Sequence, residues 1–161
     1  MLPLRLPADR PLNILCLGAH ADDIEIGCGA TLLALRAAYP DARTTWVVLT
    51  ARGARAEEAR RSAALFADPA RTEIVLAEFR DGYLPYEGAA VKDFIEGLKA
   101  KPYPDAIFTH WRKDAHQDHR LIAELAWNTW RNALILEFEI PKYDGDLETP
   151  NLYVPVTKAQ A

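Results

Sequence analysis

The sequence predicts an α/β fold in which helices cover both faces of a mostly parallel sheet, a Rossmann-like three-layer sandwich. Two observations carry that expectation. Short apolar and β-branched runs alternate along the chain with longer stretches whose apolar residues recur at helical spacing. Strands that alternate with helices pair in parallel through right-handed crossovers, which leaves helices on both sides of the sheet.

In chain order, Ile14 to Leu17 is an apolar run closed by Gly18, and Asp23 to Tyr39 follows with helical periodicity. These residues predict strand, turn and helix. Thr44 to Thr50 is β-branched and apolar, whereas Arg55 to Phe66 is rich in Ala, Arg and Glu, which favour helix. Glu73 to Ala77 predicts a third strand, Gly88 to Ala100 a third helix, Asp105 to Thr109 a fourth strand and His119 to Arg131 a fourth helix. Ala133 to Ile140 reads as another strand and Pro141 to Pro150 as a turn-rich loop before Asn151 to Val156.

The length of 161 residues suits one domain, so residues 1–161 are read as a single unit. A composition 50% hydrophobic and 26% charged is that of a globular protein, and the net charge of −4 gives no electrostatic reason to expect a nucleic-acid or membrane-surface partner. Met1 to Arg10 lacks the continuous apolar stretch of a signal peptide, and no run approaches the ~20 apolar residues of a membrane span. A cytoplasmic location is expected, and assembly into a homo-oligomer is left open. Cys16 and Cys28 fit small buried residues rather than a disulfide framework.

All four histidines fall in two short segments: His20 after the first strand, and His110, His116 and His119 after the fourth. In open parallel sheets, sites form outside the carboxyl ends of the strands, where these loops emerge. A catalytic zinc takes three ligands from His and carboxylate and keeps a position for water. His20, Asp23 and His119 can supply them if the strand-to-helix turn tightens. Asp22 is then the free carboxylate beside the metal and the candidate general base. His116 is the candidate to stabilise an oxyanion or protonate a leaving amine, and Asp118 to orient a ligand imidazole. Taken singly, acidic residues at a helix start serve capping and the helix dipole just as well. The clustering is what raises the metal reading.

His20-Ala21-Asp22-Asp23 resembles the His-Pro-Asp-Asp signature, and Asp114-Ala115-His116-Gln117-Asp118-His119 the Asp-x-His-x-Asp-His signature, of the PIG-L/LmbE family of zinc-dependent N-acetylglucosamine deacetylases. The resemblance covers about residues 12 to 156. It implies a PIG-L/LmbE-like fold, a Zn2+ cofactor held by His20, Asp23 and His119, Asp22 as base, and His116 as the group stabilising the transition state. It also implies a small N-acylated, sugar-like substrate. Arg55-Ala-Glu-Glu-Ala is similar to a family segment whose arginine reaches the substrate, which makes Arg55 a substrate-binding candidate, and Arg80-Asp81-Gly82-Tyr83 is similar to a loop at the site rim. Ala21 stands where the family has proline. Family members generally continue past the region where this chain stops, so a C-terminal portion of the pattern is expected to be missing. Three alternatives stay open: an amidase on a non-sugar or thiol-conjugate amide, a zinc- or sugar-binding protein without turnover, and a nucleotide-binding domain. The last is disfavoured, because Asp22 and Asp23 stand where a phosphate would sit.

Overall fold

A strand covered on both faces must be apolar on both, and Asn13–Gly18 (β1) meets that demand with every residue after Asn13 buried. The computed structural model describes residues 6–7 and 9–160. Beside β1 run Arg43–Val48 (β2), Thr72–Leu76 (β3), Ala106–His110 (β4) and Leu134–Phe138 (β5). They form one five-stranded sheet in the order β3-β2-β1-β4-β5, with every neighbouring pair parallel. The crossovers hold Asp23–Ala38 (α1), Ala54–Phe66 (α2), Gly88–Gly97 (α3) and Gln117–Thr129 (α4).

Alternation along the strands sorts side chains into two cores. Ile14, Cys16, Trp46, Val48 and Phe108 pack with Ile24 and Leu32 of α1 and Ala59 and Ala63 of α2. Leu15, Leu17, Val47 and Ile107 pack on the other face with Val91 and Ile95 of α3 and Ile122 and Ala126 of α4. Both cysteines are free and buried, and burial pushes their thiols up. Among the described residues no helix is long and apolar enough to cross a membrane.

The predicted α/β layering is therefore present, with local differences. The fourth helix begins at Gln117, two residues before the first expected, because His116 caps it. The end of the third tightens to a 3-10 turn at Leu98–Ala100. Asn151 to Val156 joins no strand among the described residues and lies exposed. Pro150 and Pro155 bracket or interrupt it, removing ladder donors, and no described element covers its apolar residues.

The chain leaves β1 to one side for β2 and β3, then crosses back to place β4 on the other. This reversal opens a crevice at the carboxyl ends of β1 and β4. The residues singled out above lie there.

Candidate active site

The turn after β1 is held by side chains. The His20 N–H donates to Asp23 Oδ2 at 2.7 Å, and the Ala19 N–H lies 3.1 Å from His110 Nε2. Asp22 occupies the N-cap position of α1, yet its side chain makes no capping bond. Its carboxylate is left partly exposed at the cleft. His20 Nδ1 lies 3.3 Å from Asp23 Oδ2, while its Nε2 lies 3.1 Å from Asp81 Oδ1 and 3.5 Å from Asp118 Oδ2.

The loop after β4 supplies the rest. His116 caps α4, its Nδ1 accepting from the Asp118 N–H at 3.3 Å. In a neutral ring that acceptor fixes the proton on Nε2. One turn on, His119 places Nε2 at 3.2 Å from His20 Nδ1 and 3.5 Å from Asp23 Oδ1. Its Nδ1 is 3.1 Å from the buried Asp114 Oδ2, and its ring stacks on His110 at 3.8 Å. Asp118, fully buried, accepts from the N–H groups of Gly82 at 2.7 Å and Leu84 at 3.1 Å. It thereby ties down the rim loop, whose turn needs the left-handed φ of +76° that Gly82 adopts. Arg55, in the first turn of α2, lines the same cleft of about 280 Å³ and pairs with Glu58 at 2.7 Å.

The carboxylates decide the local electrostatics. Burial disfavours a charged His20, but Asp23, Asp81 and Asp118 outweigh it and push its pKa up to about 9. His119 is also raised: burial opposes the charge, and Asp23 and Asp114 prevail. Asp23 is held well below the usual aspartate range because the imidazoles of His110, His119 and His20 overcome its burial. Burial lowers His110 and His116, so both stay neutral more readily.

Such a field favours a cation, and the donors suit one. Two atoms bound at about 2.1 Å to a tetrahedral zinc stand about 3.4 Å apart. The separations among His20 Nδ1, Asp23 and His119 Nε2 are 3.2, 3.3 and 3.5 Å, with a different Asp23 oxygen facing each imidazole. Two nitrogens and a carboxylate also form a catalytic-type donor set. The side chains admit other groupings: His20, His116 and His119 bring ring nitrogens within 4.8 Å of one another, and the donor atoms of Asp23, His110 and His119 meet the same limit.

The sequence alone assigned no role to His110 or Asp114. His110 ends β4 with its Nε2 3.1 Å from both Asp23 Oδ2 and the Ala19 nitrogen, so it packs against the turn after β1. Its signal was a fourth histidine in a run with three others already assigned. Asp114 was visible only as the first letter of a motif.

Fold and site together define an α/β protein whose histidine- and aspartate-rich donor set occupies the switch point of a parallel sheet. More narrowly, the chain belongs to the PIG-L family, whose model, described as GlcNAc-PI de-N-acetylase, matches residues 15–130. No curated protein matches it by sequence. Among solved structures it is similar to an N,N'-diacetylchitobiose deacetylase from Pyrococcus horikoshii, with 26% identity and a TM-score of 0.59 over 74% of this chain and 49% of that one. The chain thus spans about half the length of that deacetylase. It also shares its fold with the conserved protein TT1542 from Thermus thermophilus (21% identity, TM-score 0.60, 86% of this chain and 69% of that one). The zinc-inhibited form of teicoplanin deacetylase Orf2 is a third likeness in fold, at 16% identity and a TM-score of 0.70 over 92% of this chain and 79% of that one.

Proposed function

We propose that this chain is a zinc-dependent hydrolase that removes an N-acetyl group from an N-acetylglucosamine-like sugar or sugar conjugate. The observation that carries the reading is the meeting of His20 Nδ1, the Asp23 carboxylate and His119 Nε2 within 3.5 Å, beside an Asp22 carboxylate that caps nothing. Membership in a family described by de-N-acetylation supports the reaction class.

His20, Asp23 and His119 would hold the ion, and zinc there supplies Lewis acidity toward the acyl oxygen and the attacking water. Asp22 takes up the proton that the water loses on attack. His116, protonated on Nε2 and lining the cleft, donates a hydrogen bond to the acyl oxygen as the acyl carbon becomes tetrahedral and the oxygen gains negative charge. The proton that Asp22 took from the water passes to the nitrogen as the C–N bond breaks, releasing acetate and the free amine and leaving His116 with its own Nε2 proton. Asp118 keeps the rim loop closed beside His20, and Arg55 offers its guanidinium at the cleft mouth once it parts from Glu58. That contact binds substrate rather than driving chemistry.

The test is zinc content and turnover on a panel of N-acetyl amino sugars and non-sugar amides. The parent should bind about one zinc per chain and prefer the sugars. Asp22→Asn should keep the zinc and lose most turnover, because an amide cannot accept the water's proton. Activity within about tenfold of the parent would remove Asp22 from the base role. A preference for non-sugar amides would change the substrate class, and a zinc-loaded parent inert toward the whole panel would make the chain a binding protein.

A further inference from the structure

Lys142 lies on the loop after β5, beyond the residues 15–130 that the family model matches. Its ammonium reaches back 3.1 Å from Asp114 Oδ1 and 2.6 Å from Asp146 Oδ2. Asp146 Oδ2 also accepts from the Ala115 N–H at 2.6 Å, so the two loops are stitched together at adjacent points. Asp114 is only 1% exposed and has its oxygens divided. Oδ2 faces His119 Nδ1 at 3.1 Å, while Oδ1 takes the His116 N–H at 2.7 Å and the Lys142 ammonium.

We propose that Lys142 is a positioning residue that acts through Asp114 to aim His119 Nε2 at His20 and Asp23. The inference rests on the zinc reading above. An imidazole that binds through one nitrogen is oriented by the partner of the other, and here that partner is Asp114. A carboxylate can swing about its own axis unless both oxygens are held. Lys142 supplies the side-chain contact that holds Oδ1. An exposed ion pair would matter little, but this one ends on a buried carboxylate, where loss of a charged donor leaves the group short of a partner. With Lys142 gone, Oδ1 keeps only the His116 N–H, so Asp114 is held less firmly against His119 and the direction of Nε2 is less sharply fixed.

The experiment uses the full chain and two readouts. In chelator competition with zinc alone, Lys142→Met should bind roughly tenfold more weakly than the parent, and Lys142→Arg, which keeps the charge, should recover most of the loss. In an Asp114→Asn background the same Lys142→Met change should add almost nothing, because its effect runs through Asp114. The second readout needs no metal. Ring-nitrogen NMR of the zinc-free protein, at a pH high enough to keep His20 and His119 neutral despite their raised pKa values, should place the His119 proton on Nδ1 in the parent and in Lys142→Arg, and show mixed tautomers in Lys142→Met. Equal zinc affinity in parent and Lys142→Met overturns the proposal, as does full additivity with Asp114→Asn. A parent that binds no zinc ends the hydrolase reading instead, and the tautomer comparison then decides alone whether Lys142 positions His119. If Lys142→Met does not fold, Lys142→Gln replaces it in both measurements.

Discussion

His116 divides its two ring nitrogens between structure and the cleft. Nδ1 accepts the Asp118 N–H and starts a helix, and that commitment puts the proton on Nε2. Were its work done mainly in the transition state, His116→Ala would lower kcat by roughly 10²- to 10³-fold, leave KM little changed and keep the zinc. Steady-state rates and metal content on one folded preparation check this. Loss of the metal would make His116 a ligand, in line with the grouping it forms with His20 and His119, and would displace His119 from the assignment. Residues at the cleft differ in how legible they were from sequence. His20, Asp22, Asp23, His116 and His119 stood out because chemistry-bearing types crowd two loops that parallel topology must bring to one edge. His110, Asp114 and Lys142 did not, because what they do depends on ring direction, burial and a return of the chain after β5, none of which has a spacing signature.

At the scale of elements, α1 is seated on the sheet through glycine. A Cβ on Gly27 would come within 2.1 Å of the Phe138 ring, which β5 presents beneath it. Alanine in mid-helix normally gains about 1 kcal/mol over glycine, whereas overpacking a buried aromatic costs about 1–3 kcal/mol. At this separation the clash should win, so Gly27→Ala is expected to destabilise by about 1–2 kcal/mol in urea unfolding. Gly97→Ala, where a Cβ meets nothing within 4 Å, should show the opposite sign and serves as its control. Because α1 carries Asp23 in its first turn, a displaced helix should weaken zinc binding as well. Periodicity revealed the four α-helices and five strands of the described residues, since each buries a face that the period exposes. It assigns nothing to Asn151 to Val156, an apolar run without alternation that joins no strand among the described residues.

The whole molecule is closed at the edge opposite the cleft by a clasp between residues 95 apart. Arg10 donates from both terminal nitrogens to Asp105, at 2.8 and 2.5 Å, and Asp105 Oδ2 also accepts the Asn13 N–H at 2.8 Å. The Arg10 guanidinium holds the Asp105 carboxyl below the usual aspartate range. The folded state therefore binds that proton less readily than the unfolded chain does. The resulting stability is fully present above the ordinary pKa of about 4 and is lost as pH falls through the lower folded value. Asp105→Asn should cost roughly 1 kcal/mol at pH 7, and the gap between parent and variant should narrow as the pH falls below about 4. Urea midpoints of both proteins across that range test it, and a constant gap would count against the clasp. The strand order has a consequence for the nascent chain. β1, β2 and β3 are neighbours in both sequence and sheet, so they can pair as they emerge, whereas His119 follows His20 by 99 residues. At ribosomal rates of about 5–20 residues per second that interval is roughly 5–20 s. During it, His20 and Asp23 stand as two of the three proposed donors without the third. On the zinc reading, metal would be captured late, by a chain whose central crossover is already made, so a filled site would mark a chain synthesised at least through His119.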